Sequence, residues 1–158
     1  DAVLKHSKTF KNLSLSDLTQ LHGIMVQGLN VPSGIRSQAV RITGTQYVPF
    51  SNEHELTDQL RAIITLINKT PYPPAKALLS LCMIAYLQPF ADGNKRTSRM
   101  LSNAILVAHG YYPLSFRDVD VNEFVKATIL FYEQNNLYHL KRLFLEQIQF
   151  STENYFKQ

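Results

Sequence analysis

Four charged side chains, Asp92, Lys95, Arg96 and Arg99, stand within eight residues between two stretches that carry no formal charge, Ala77 to Ala91 and Met100 to Phe116. Charges set among apolar segments are retained only when they have partners, so the run from Gln88 to Arg99 is where chemistry is expected. Gly93 would let the backbone approach a ligand closely, and a helix beginning near Asn94 would present unpaired N–H groups and the positive end of its dipole. That combination binds anions. Arg96 and Arg99, three residues apart, lie on one face of the first turns, where their guanidinium groups can clamp phosphate oxygens. Lys95 adds positive charge at the rim. Asp92 stands where one carboxylate could hold a Mg²⁺ bridging two phosphates, and Phe90 reads as the loop's anchor in the core. The same residues also read as an ordinary Asp-Gly-Asn turn with Asn94 as a cap and the arginines in structural ion pairs. Neither a P-loop nor a Gly-x-Gly-x-x-Gly run is present to decide between these readings.

The five histidines add no cluster. His22 reads as packed within a helix, His109 ends a helix about fifteen residues, roughly 22 Å, beyond the loop, and His6, His54 and His139 sit in polar surroundings.

The elements that must position the loop follow from periodicity and punctuation. Ser14 with Asp17 opens a helix carrying Leu15, Leu18, Leu21, Ile24 and Met25, ended by Gly28. From Ser33 to Pro49 the pattern changes: β-branched Val40 and Ile42, then Thr43-Gly44-Thr45, Tyr47 and Val48, predict a short β-hairpin turning at Gly44. Asn52 with Glu55 opens a helix with a stripe of Leu56, Leu60, Ile63 and Ile67. Ala75 to Leu87 is apolar nearly all round, as for a helix at the centre of a bundle, and stops before Pro89. A further helix runs from Lys95 to His109. Asp120 with Glu123 caps another, and a last one starts near Leu137. The architecture expected is an all-α bundle with one hairpin insertion.

Composition sets the outer limits. A chain of 158 residues, 45% hydrophobic and 18% charged, is a globular protein and is expected to form one domain, residues 1–158, trimmed from a longer chain because it opens on Asp1. The single cysteine, Cys82, forbids an internal disulfide or a Cys-cluster metal site and favours a cytoplasmic location. The longest uncharged apolar run, Ala77 to Leu87, is eleven residues, short of the about 18–20 that a membrane span needs. Sixteen basic against twelve acidic residues give +4, compatible with nucleotide, nucleic acid or an acidic protein.

On these residues the chain resembles the Fic family. Its signature is His-Pro-Phe-x-[Asp/Glu]-Gly-Asn-[Gly/Lys]-Arg-x-x-Arg, and every defined position from Pro89 to Arg99 agrees. The likeness extends over nearly the whole chain: the expected hairpin resembles the family's flap, Gly34-Ile35-Arg36 the segment leading into it, and the helix order fits. The resemblance implies a Fic-type helical bundle that transfers AMP from Mg-ATP to a Ser, Thr or Tyr hydroxyl of a target protein. It implies Mg²⁺ at Asp92, an α-phosphate anion hole at Gly93 and Asn94, and β- and γ-phosphates at Arg96 and Arg99. It also implies a flap, with Val40, Ile42 and Tyr47, that docks the target by strand addition. Having Gly93 sets the chain apart from the family's Doc-like kinases. Nucleic acid is not an expected partner.

The departure is Gln88, which stands where the family has its catalytic histidine. A neutral amide does not titrate near neutrality, and loss of a general base costs about 10²–10⁴ in rate, so transfer should be impaired and nucleotide binding retained. Either a histidine was replaced there or Gln88 is a natural variant with weak or different chemistry; the alternative function is a nucleotide-binding pseudoenzyme or regulatory module. The family's inhibitory helix, Ser/Thr-x-x-x-Glu-Gly/Asn, has no match: Leu56 follows Ser51 and Glu55, and Gln149 precedes Glu153-Asn154. Inhibition would come from a helix or antitoxin supplied in trans or upstream.

Overall fold

The computed structural model describes residues 7–155, so His6 lies outside the described residues. After a 3₁₀ turn at Ser7–Lys11, six helices follow: α1 (Leu15–Met25), α2 (Glu53–Lys69), α3 (Pro73–Leu87), α4 (Asn94–Ala108), α5 (Val121–Gln134) and α6 (Tyr138–Tyr155). The residues fall into two compact units. One comprises the chain up to Val40 together with Pro49–Tyr111; the other comprises Arg41–Val48 and the chain from Tyr112 onward.

In the first unit, α3 and α4 form the most extensive packing pair, with α1, α2 and the 3₁₀ turn also packed within the unit. The reason lies in α3, which buries ten of its fifteen residues, among them Leu78, Leu81, Ile84 and Leu87. Its partner α4 buries Leu101, Ile105 and Leu106 beside the small Thr97, Ser98, Ala104 and Ala108. Each fully buried leucine or isoleucine here contributes about 1.5–3 kcal/mol. Helix starts are fixed as the capping residues require. Ser14 and Asp17 make both bonds of a capping box, and Asn52 Oδ1 accepts from the His54 and Glu55 N–H groups. Asn68, near the end of α2, donates to the Leu13 carbonyl and accepts from its N–H, tying the start of α1 to α2.

In the second unit α5 packs against α6. Asp120 caps α5, while Glu123 and Glu146 both pair with Arg142.

The expected hairpin is not formed. A turn lies at Thr43–Gly44, with Gly44 at φ +86°, but no strand occurs among the described residues. The backbone groups that a ladder would use are taken by side chains. Glu133 accepts from Gln46 N–H (2.9 Å) and from the Thr45 hydroxyl (2.7 Å), and the Thr45 hydroxyl oxygen accepts from Tyr47 N–H (3.1 Å). At the loop's other end Arg36 donates to the carbonyls of Gln38 and Phe50, each at 2.6 Å. Alternating β-branched residues around a glycine therefore mark a side-chain-pinned loop here, and Ile42 is buried rather than offered on a strand edge.

Candidate functional site

Helix α3 ends on Gln88, a non-glycine residue in the left-handed region at φ 52°, ψ 56°. The surroundings hold it there. Buried Arg36 donates from Nε to the Gln88 carbonyl (2.6 Å) and from its backbone N–H to the Pro89 carbonyl (2.9 Å). The Gln88 side chain folds back: Nε2 donates to the Ala85 carbonyl (2.6 Å) and Oε1 accepts from Asn94 Nδ2 (3.1 Å). Both ends of the amide are committed.

Asn94 closes the loop. Its Oδ1 accepts from Phe90 N–H (2.9 Å) and its Nδ2 donates to the Phe90 carbonyl (2.8 Å) as well as to Gln88. One buried side chain thus satisfies both backbone groups of a fully buried residue, which an interior loop demands. With its side chain so engaged, Asn94 has its backbone N–H to offer a ligand. Phe90 anchors the loop as the sequence predicts, lying flat on the ring of His22 with centroids 3.8 Å apart and planes 7° apart. His22 is itself fully buried, and its Nε2 lies 2.9 Å from the Asp92 carbonyl. A carbonyl only accepts, so Nε2 carries the proton. Burial holds the His22 pKa below its ordinary value, against the opposing pull of the Asp92 carbonyl and carboxylate; Arg96 lowers it further.

Gly93 caps α4 at φ +79°. A Cβ there would stand 2.8 Å from Val26 Cγ1 of the segment ending α1, so the position excludes a side chain for two reasons, conformation and space. The close approach that the glycine permits is to Val26. No side chain caps α4, which leaves its first-turn N–H groups to other acceptors. Asp92 is exposed; its Oδ1 accepts from Gly93 N–H (2.5 Å) and its Oδ2 lies 3.7 Å from Arg96 Nη2. A pair this exposed is worth at most about 1 kcal/mol and is readily exchanged for a ligand. Lys95 and Arg99 are likewise on the surface. The sequence-predicted group Gln88, Asp92, Gly93, Asn94, Lys95, Arg96 and Arg99 is therefore one continuous feature: a hydrogen-bonded loop, buried from Gln88 to Phe90, that delivers an uncapped helix start ringed by charges.

The predicted target contacts fare differently. Val40 is half-buried, Ile42 is buried and cannot serve as an open side-chain contact, and Tyr47 is half-buried with its ring 5.8 Å from that of Tyr132. Two positioning residues, His22 and Arg36, carry no sequence signal of their role, because each acts on residues 70 and 52 positions away respectively.

Residues 12–106 match the Fic/DOC family, and the chain belongs to that family. Among curated relatives, the protein adenylyltransferase Fic of Nematostella vectensis is 29% identical over 118 residues, 72% of this chain and 27% of that protein. The chain thus spans about a quarter of that relative's length. Among solved structures, Fic-1 of C. elegans superposes with a TM-score of 0.76 at 22% identity, over 98% of this chain and 47% of that one. The BepC effector of Bartonella tribocorum, solved with bound AMPPNP, superposes at 0.67 with 18% identity, over 92% and 81%. No described helix is long and apolar enough to cross a membrane.

Proposed function

We propose that this chain binds Mg-ATP at the start of α4 and transfers AMP to a Ser, Thr or Tyr hydroxyl of a target protein, slowly because of Gln88. The observation that carries the reading is the uncapped α4 N-terminus, with Gly93 in the left-handed region and Asp92, Lys95, Arg96 and Arg99 around it. The N–H of Gly93, given up by Asp92 Oδ1 on binding, and the N–H of Asn94 receive the α-phosphate; Arg96 and Arg99 take the β- and γ-phosphates, with Lys95 adding positive charge. Among the described residues no group of three or more His, Cys, Asp or Glu could enclose a metal. One exposed carboxylate is what a phosphate-bound Mg²⁺ asks of a protein, so Asp92 fits as its holder; the ion, when bound, would neutralise phosphate charge. In the transfer the target oxygen bonds to the α-phosphorus, the bond to pyrophosphate breaks, and the hydroxyl proton leaves to a base.

Gln88 supplies no base, since its amide does not titrate and both its ends are already hydrogen-bonded. That commitment favours a second reading, a nucleotide-binding regulatory domain without transfer. One experiment separates them. Label from ATP carrying a radioactive α-phosphate is followed into proteins of a lysate with wild type, Gln88→His, and Gln88→His with Arg99→Ala. On the transfer reading wild type labels weakly, Gln88→His labels about 10²-fold or more faster, and Arg99→Ala removes the gain. No labelling by Gln88→His, despite intact ATP binding, leaves the regulatory reading.

A further inference from the structure

Glycine at position 93 solves one problem and creates another. Val26 occupies the space of a Cβ and the backbone is left-handed, so no other residue fits. Yet a glycine tolerates both signs of φ, and the peptide between Asp92 and Gly93 is therefore free to turn over, as between the two common turn types. In a trans peptide the C=O and the following N–H point to opposite edges. A flip would aim the Asp92 carbonyl oxygen at the place where an incoming phosphate needs the Gly93 N–H.

His22 sets the orientation. Its Nε2–H holds the Asp92 carbonyl at 2.9 Å on the buried side, and the Gly93 N–H accordingly faces the charged side, where Asp92 Oδ1 accepts from it at 2.5 Å. The ring is kept in place by its stack on Phe90 and by complete burial. Its other nitrogen, Nδ1, is buried without a hydrogen-bond partner. An apolar side chain of similar size would avoid that cost, so the histidine's advantage at this position is the Nε2 donor. His22 and Val26, one turn apart at the end of α1, thus act together: Val26 demands the glycine and His22 fixes the peptide that the glycine would leave loose.

We infer that His22 is a positioning residue for nucleotide binding, holding the Asp92–Gly93 peptide with its N–H toward the phosphate. The inference rests on the reading of the α4 start as the nucleotide site. Its test compares two side chains of equal length that differ in the donor, His22→Gln and His22→Met, by calorimetric titration with Mg-ADP, with circular dichroism as the check on folding. His22→Met is expected to bind about 5- to 10-fold more weakly than wild type, the effect of one lost hydrogen bond. His22→Gln, whose amide can reach the same carbonyl, is expected within about twofold of wild type, since the donor is retained. Equal affinities in the Gln and Met variants, whether both match wild type or both fall, would overturn the inference. Should the Met variant not fold, His22→Phe keeps the ring on Phe90 without the donor and is held to the same two outcomes. Wild type that fails to bind Mg-ADP at all would instead refute the nucleotide site, and this role with it.

Discussion

Replacing Asn94 by alanine tests how the candidate site is held together. The residue is 4% exposed, and its side chain makes three hydrogen bonds, two to the backbone of Phe90 and one to Gln88. Alanine is the better helix former, and at the first residue of α4 that preference is worth up to about 0.7 kcal/mol in favour of the variant. Against it stand the N–H and C=O of fully buried Phe90, each costing about 1–3 kcal/mol when left without a partner. The losses win, and a net destabilisation of about 1.5–5 kcal/mol is expected, or a fall of roughly 4–15 °C in Tm for a chain of this size. Urea denaturation followed by circular dichroism measures it. Asn94→Asp sharpens the test, because it keeps the acceptor for Phe90 N–H but sets a second oxygen against the Phe90 carbonyl and Gln88 Oε1, where Nδ2 now donates at 2.8 and 3.1 Å. The Asp variant should be no more stable than the Ala variant at neutral pH. An Asn94→Ala protein within about 0.5 kcal/mol of wild type, far below the cost of two unpaired backbone groups, would show that this bonding does not hold the loop.

Two further expectations concern groups outside the loop. The Glu133 carboxyl is held below its ordinary pKa by the bonds from Gln46 N–H and Thr45; the anion is thus favoured when folded, and its contribution is present above the normal glutamate range and lost as pH falls through the depressed value. The protection of the Gln46 N–H against hydrogen exchange, referred to the intrinsic rate at each pH, should fall in that acid window, and at neutral pH in Glu133→Ala; protection unchanged in the variant would refute the anchoring. Burial raises the Cys82 thiol to about 12, so native protein at pH 8 should resist alkylation by iodoacetamide and react on unfolding. Rapid native labelling would contradict the burial.

Sequence and structure agree where one local pattern decides the outcome. The all-round apolar Ala75–Leu87 becomes buried α3, and Ser14 with Asp17 becomes a complete capping box. The charge cluster of Asp92 to Arg99 does surround a helix start, because Gly93 and the four charges fall within eight residues of the chain. Long-range side-chain contacts account for what was not legible. The β-pattern around Gly44 is overridden by Glu133, some 87 residues later, which takes a backbone N–H a ladder would need. His22 and Arg36 look like one more residue of an amphipathic helix and one more loop cation. Their effect on Asp92 and Gln88 depends on how α1 and the loop after it pack, which spacing along the chain does not express.

The central claim is that the start of α4 is a nucleotide site in which Arg99 contacts phosphate. Calorimetric titration of Mg-ATP into wild type and into Arg99→Ala tests it most directly. One charge-assisted contact is worth about 1.5–3 kcal/mol, so wild-type binding in the micromolar to millimolar range should weaken by roughly 10- to 150-fold in the variant. Equal affinity in the two proteins, or no binding to wild type, would contradict the claim.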